Sequence, residues 1–325
     1  GTAASLALQY NKYKNLLHWL REVPDCYVSP KLDIRPSCVD KSSSGYGVFA
    51  TESISNNETL LIVPPHACIS LTTATNCDKD FFNALGDRFE KAGPGGSIVC
   101  LAGWLAKEHV FLQLFNRSAS SFYQPYLSTF PWSEKDQPHV LFWTPDKMKM
   151  LEKINPQAAI EAEGLRSEVD LAKKVFRPIL VSCVNKYPKS LWKIIQYDLP
   201  WNNNNKELEE IVDLAITGAF VILLSRCFCS NSDSEESLVP VLDMMQHSSK
   251  DPTIRHFTES NGDVNVRASC DIEKGQELFN RYHNEGVLQP NQWLTRFGFL
   301  PGEDIADVDN VRSLKNLLQQ TELQQ

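Results

Sequence analysis

The nine cysteines of this 325-residue chain form no C-x-x-C pair, and its histidines show no metal-like spacing. Without clustered ligands a structural zinc site is excluded, and no metal is expected. The odd, scattered thiols also exclude a disulfide-stapled scaffold and suit a reducing compartment. No stretch reaches the ~20 consecutive apolar residues of a membrane span. The most apolar run, Leu214 to Leu224, is too short for one and reads as a buried helix. Basic residues are in deficit: 32 Lys and Arg against 40 Asp and Glu give a formal charge of −8. That excludes a general nucleic-acid-binding surface. The start, Gly1-Thr2-Ala3-Ala4-Ser5, has neither the basic region nor the apolar core of a signal peptide. The expected location is intracellular, cytoplasmic or nuclear, or a plastid if a transit segment has been removed.

What is present suits a packed core: 42% hydrophobic and 10% aromatic residues. From Asn11 to Val23, Leu16, Leu17, Trp19 and Leu20 are spaced as one face of a helix, which Pro24 ends. Val48–Ala50 and Leu60–Val63 read as strands around a polar stretch, and Pro64-Pro65 stops the second. From Thr72 to Glu236 the character is helical, with Ile98–Phe115 and Glu207–Cys229 the clearest segments. The Asn202–Asn205 tract and Ser230–Ser237 read as loops. Strand signals return in Leu238–Leu242, Asp263–Ala268 and Glu277–Tyr282, with Asn261-Gly262 as a hairpin turn. The expected class is α+β. An N-terminal helix (1–25) and a β part (26–71) precede a long helical insertion (72–236). A second β part (237–302) and a tail (303–325) follow.

Gly45-Tyr46-Gly47-Val48-Phe49-Ala50 formally matches the dinucleotide fingerprint G-x-G-x-x-G/A. That motif works only as a strand-to-helix turn, since the helix N-terminus receives the pyrophosphate. Thr51–Glu58 supplies no apolar helical face, and no acid occurs from Thr59 to Cys77 to bind a ribose. The dinucleotide reading fails. A plain turn between strands and a loop that admits backbone to a ligand both remain open.

Further motifs give the chain a likeness. The opening Gly45 to Leu61 has the form "GxGxxA…I…E…L". Pro125-Tyr126-Leu127 with Phe130-Pro131, Ser225-Arg226-Cys227-Phe228 and Val239-Pro240-Val241-Leu242-Asp243-Met244-Met245-Gln246-His247-Ser248 follow in order. Asp271-Ile272-Glu273-Lys274-Gly275-Gln276-Glu277 repeats the phrase around Ile54, and Tyr282 and Arg296-Phe297-Gly298-Phe299 complete the set. In this register the chain resembles SET-domain protein methyltransferases. The similar branch contains the Rubisco large-subunit, ribosomal-protein and actin-histidine enzymes.

The resemblance implies a split SET β-fold of small sheets, pseudoknot-like, with a helical insertion. It implies S-adenosylmethionine as methyl donor, S-adenosylhomocysteine as product, no metal, and a protein substrate met by a monomer without nucleic acid or membrane. Carried over by position, Ser44, Gly45, Tyr46, Gly47, Arg226, Asp243, Gln246, His247 and Phe299 would bind the donor. Tyr282 would be catalytic, and Phe228, Tyr282 and Phe297 would line the acceptor channel. Taken singly, each has a plainer role: Tyr282 as a strand aromatic, Arg226 as a helix C-terminal cation, His247 as a turn residue, and the phenylalanines as core.

Methyl transfer is an in-line displacement, so alignment is its main demand. A lysine amine of solution pKa ~10.4 must first lose its proton. A desolvating aromatic channel and a sulfonium charge both favour that loss. The expected activity is lysine N-methylation of a non-histone protein, since Phe228 stands where lysine-modifying relatives carry an aromatic. A protein-histidine methyltransferase and a catalytically weak, SET-derived binding module stay open. Gln246 stands where the family has Asn, Ser44 where several relatives have Glu, and His283 where glycine is common. Longer relatives carry a helical substrate-binding domain after this region; here Glu303–Gln325 follows Gly302, with one expected helix, Val311–Leu323, and the expectation is either a short member or a truncated chain.

Overall fold

The structure, a computed structural model, describes residues 3–37, 45–86, 96–115, 122–188, 205–228, 235–283 and 287–298. Ser44, Phe299 and the expected Val311–Leu323 helix lie outside the described residues. Helix α1 (Ala3–Glu22) leads into short strands β1 (Tyr27–Val28), β2 (Leu32–Pro36), β3 (Tyr46–Ala50), β4 (Thr59–Val63) and β5 (Ile69–Ser70). A helical stretch follows: α2 (Leu71–Cys77), α3 (Lys79–Leu85), α4 (Gly96–Phe115), α5 (Gln124–Leu127), α6 (Pro145–Ile154), α7 (Pro156–Asn185) and α8 (Asn205–Arg226). Strands resume as β6 (Cys227–Phe228), β7 (Ser237–Leu238), β8 (Gln246–His247), β9 (Ile254–Thr258), β10 (Val264–Ala268) and β11 (Glu277–Asn280), before α9 (Pro290–Phe297).

Each of the three sheets joins strands from before and after the helical stretch. Their orders are β1-β4-β10-β9, β2-β3-β11-β8 and β5-β7-β6. The two similar sequence phrases meet directly. Ile54 and Ile272 form an antiparallel bridge, each N–H donating 2.9 Å to the other's carbonyl. The pairing is favoured because both isoleucines are buried and each supplies what the other's backbone lacks.

One hydrophobic cluster runs from Leu16 and Leu20 of α1 through Ile34, Val48, Leu61 and Leu278 of the sheets to Trp104, Phe176 and Phe220 of the helices. Helix α4 is long and apolar enough to cross a bilayer by length and composition, but 78% of that window is buried within the protein. Such a helix, apolar on all faces, suits a core position. Gly103 lets α7 approach it, since a Cβ there would lie 2.3 Å from the Phe176 ring. Arg177 of α7 grips Asp213 of α8 with two nitrogens, the Nε–Oδ1 distance being 2.7 Å. Helix α9 docks through Leu294 into a second cluster with Val140, Trp143, Met148, Leu151 and Ala162.

The elements depart from the sequence expectations at their ends. The first helix begins at Ala3, well before Asn11. The helix starting near Glu207 stops at Arg226, because Cys227 and Phe228 pair as β6 with Leu238 and Ser237. The expected strand Leu238–Leu242 keeps only Leu238. Pro240 has no N–H to donate to a ladder, Val241 adopts φ +70°, and Leu242–Met244 close a 3-10 turn. The last strand ends at Asn280, two residues short of Tyr282.

Gly298 ends α9 at φ +78°, where an added Cβ would lie 2.2 Å from the Pro138 carbonyl oxygen. Gly275 has φ +89° with nothing within 4 Å of such a Cβ. Left-handed backbone alone costs alanine about 1–2 kcal/mol at either position. Thermal denaturation should therefore show a small loss for Gly275→Ala and a distinctly larger one for Gly298→Ala. Equal losses would mean that the α9 contact with Pro138 does not constrain the fold.

Candidate active site

The glycine turn is held by backbone pairing with β2, Pro36 opposite Tyr46 and Arg35 opposite Gly47. Its two glycines answer different demands. A Cβ at Gly47 would lie 2.0 Å from Oε1 of Glu277, a buried carboxylate that accepts a 2.7 Å hydrogen bond from the Ser37 hydroxyl. Gly47 is thus small to admit a neighbouring strand's side chain. A Cβ at Gly45 would meet only the Gln246 Nε2, at 3.7 Å. Among the described residues nothing else comes within 4 Å of that position.

Strand β8 lies parallel to β11, with Gln246 beside Phe279 and His247 beside Asn280. Strand β11 also pairs with β3, so the Gln246–His247 segment is carried next to the glycine turn. The Gln246 Nε2 donates to the Tyr46 carbonyl at 2.9 Å, joining two segments 200 residues apart. Beneath them Tyr13 of α1, 6% exposed, stacks its ring on that of Tyr46 at 4.0 Å and 28°.

Arg226, the last residue of α8, donates from Nη1 to the carbonyl and the Oδ2 of Asp243, both at 3.3 Å. The Asp243 side chain is wholly enclosed. Burial raises its pKa from 3.8 to about 6 in spite of the Arg226 charge. Among the described residues Arg226 Nε and Asp243 Oδ1 are buried without hydrogen-bond partners. The buried Tyr126 hydroxyl adjoins the carboxylate without reaching hydrogen-bond geometry. Unsatisfied polar atoms of this kind cost stability unless a ligand completes them.

Tyr282 follows β11. Its hydroxyl donates to the Met245 carbonyl at 3.0 Å, and its backbone N–H donates to His247 Nδ1 at 3.2 Å. The neutral His247 ring therefore carries its proton on Nε2. Burial pushes the Tyr282 hydroxyl pKa up to about 12, with Arg226 opposing and Asp243 reinforcing the shift. Around it the rings of His247 (5.1 Å) and Phe297 (5.3 Å) close in, and Trp293 packs on both His247 and Phe297. Burial and the Arg296 charge lower the His283 pKa, so that this neighbour of Phe297 stays neutral.

The structure thus unites Gly45, Tyr46, Gly47, Arg226, Asp243, Gln246, His247, Tyr282 and Phe297. The ring contact of Phe228 among the described residues is His256 on β9, at 5.3 Å and 81°. Sequence reasoning missed Tyr13, Trp293 and the Met245 carbonyl. Tyr13 had one legible signal, its place at i−3 and i−4 to Leu16 and Leu17 on the apolar face of α1. Among the described residues no group of three His, Cys, Asp or Glu could hold a metal ion.

The SET-domain family model matches residues 45–283. The chain is 24% identical over 299 residues to ribosomal lysine N-methyltransferase 4 of Saccharomyces cerevisiae, covering 88% of this chain and 55% of that protein. It is 23% identical over 290 residues to N-lysine methyltransferase setd6 of Xenopus laevis, covering 87% and 56%. The chain therefore spans about half the length of the curated relatives it matches. Rubisco LSMT bound to AdoMet superposes with a TM-score of 0.62 at 16% identity, over 90% of this chain and 57% of that one. The SET domain of LSMT bound to lysine and AdoHcy gives a TM-score of 0.61 at 16% identity, over the same shares. These likenesses establish the α+β fold with its helical insertion.

The raised Asp243 pKa has a definite sign in stability. The folded chain holds a proton there that the unfolded chain releases, so this contribution is full below the ordinary carboxylate pKa and lost as pH rises through about 6. In denaturation experiments, lowering the pH from 7.5 to 5 should stabilise the natural chain by about 1–1.5 kcal/mol relative to Asp243→Asn. Parallel pH curves for the two proteins would place Asp243 in a solvated setting.

Proposed function

The chain belongs to the SET-domain family, and from that premise we propose that it is an S-adenosylmethionine-dependent protein-lysine N-methyltransferase. One observation carries the reading. Four remote segments, 45–47, 226, 243–247 and 282, converge on a patch that, among the described residues, holds buried unpartnered polar atoms and little over Gly45 but the Gln246 amide. The names of the relatives, lysine methyltransferases in yeast and frog, point the same way, as do the lysine and AdoHcy held by the superposed LSMT domain.

The residues present fit the donor. The backbone of Gly45 and Tyr46, the Arg226 guanidinium, and the side chains of Gln246 and His247 would hold it. Asp243 orients Arg226. When bound, the donor supplies an electrophilic methyl group on a sulfonium sulfur. The chain's task is then to present a neutral amine in line with that carbon. A lysine ammonium loses hydration among Tyr282, Phe297, Trp293 and His247, which lowers its pKa and releases its proton toward water. The Tyr282 hydroxyl has its hydrogen committed to the Met245 carbonyl, so its oxygen lone pairs are left to accept a hydrogen bond from the amine. With a pKa of about 12 it stays protonated at neutral pH, and it works by orientation rather than as a base.

The acceptor is a lysine of a protein other than a histone, on this reading. Tritiated methyl transfer into a cell lysate, with hydrolysis to separate methyl-lysine from methyl-histidine, tests it. Labelled methyl-lysine is expected, and Tyr282→Phe should lower the rate about 100-fold while calorimetry finds donor affinity within twofold. Donor binding without transfer to any protein would make the chain a binding module, and labelled methyl-histidine would change the acceptor.

A further inference from the structure

Gln246 is one methylene longer than the family's asparagine, and its amide would be misplaced unless something fixed it. The structure shows what fixes it: Nε2 is anchored 2.9 Å from the Tyr46 carbonyl. Tyr46 is the middle residue of the glycine turn, between two residues without side chains, so within the turn its ring is the one side chain that can be gripped. Its ring is gripped from below by the Tyr13 ring, 4.0 Å away at 28°. Tyr13 is itself locked, 6% exposed, on the helical face that carries Leu16, Leu17 and Leu20 into the main core. The Lys12 ammonium lies 5.1 Å from the same ring's centroid.

We propose that Tyr13, Tyr46 and Gln246 form a brace, in which the Tyr13 ring positions the glycine turn and, through the Tyr46 carbonyl, sets the Gln246 amide at the donor site. This rests on the donor reading above and deepens it: α1 becomes part of the binding site, and glutamine at 246 becomes a fitted part rather than a handicap. Tyr13 is a positioning residue. Stacked aromatic pairs prefer defined offsets, so a ring pair restricts the turn in a way that a shapeless apolar contact does not. The extra methylene of Gln246 gives the reach to the Tyr46 oxygen that asparagine lacks.

The test is a double-mutant cycle read by calorimetry with S-adenosylhomocysteine, alongside thermal denaturation of each protein. Tyr13→Leu should weaken binding about five- to tenfold, and Tyr13→Phe, which keeps the ring, should recover affinity to within about twofold. In a Gln246→Asn background the further change from Tyr13→Leu should fall below about twofold, because no amide-to-carbonyl bond remains to be held. A purely structural Tyr13 would lower the melting temperature by the same amount in both backgrounds and leave affinity untouched. If Tyr13→Leu reduces the folded fraction, Tyr13→Met takes its place in the cycle. Unchanged affinity in Tyr13→Leu, or losses at 13 and 246 that simply multiply, would overturn the brace while leaving the donor reading intact. A natural chain that binds no S-adenosylhomocysteine would end both.

Discussion

The parallel pairing of Gln246–His247 with Phe279–Asn280 is the joint on which the site depends. It is only two residues long, and parallel pairing is the weaker kind per residue. Yet it sets Gln246 against the glycine turn and Tyr282 against Met245 and His247 at once. Its strength comes from its surroundings. Strand β11 is clamped on its other edge by β3, Leu278 is fully buried, and the Glu277 carboxylate fills the notch that Gly47 leaves. Removing any of these would let the joint slide, and with period-two side chains a slip of one residue turns every contact to the wrong face.

Electrostatics at the site follow from enclosure. Arg226 and Asp243 are held together in a setting where burial outweighs mutual attraction, so the carboxylate titrates near 6 rather than below 4. The same enclosure keeps the Tyr282 hydroxyl protonated far above neutrality and His283 uncharged. Among the described residues the carboxylate beside this region is Asp243, whose Oδ2 is engaged by Arg226. Desolvation and charge therefore act in one direction on an incoming amine.

Much of this was legible in the sequence, for identifiable reasons. Strands β3, β4 and β10 announced themselves through short apolar or alternating runs bounded by turn residues, and Asn261-Gly262 marks the β9–β10 hairpin through the positive φ that only Gly262 adopts easily. The similar phrases around Ile54 and Ile272 were visible, although their meeting as a bridge was not. What sequence could not show was set by tertiary contact. Leu238–Leu242 has the composition of a strand, but Pro240 and the left-handed Val241 turn it into the loop that points Asp243 at Arg226. Phe228 of β6 packs its ring on His256 of β9, a contact between strands of two different sheets that no local pattern encodes. Tyr13 lay within the expected N-terminal helix without standing out, since nothing local encodes a stack with a residue 33 positions later.

The convergence of the glycine turn, the Asp243–His247 segment and Tyr282 on one nucleoside ligand is tested most directly by a crystal structure grown with S-adenosylhomocysteine. Density is expected in contact with the Gly45–Tyr46 backbone, Arg226 and Gln246–His247, with Tyr282 facing the thioether sulfur. Ligand density elsewhere on the molecule, with this cluster untouched, would contradict it.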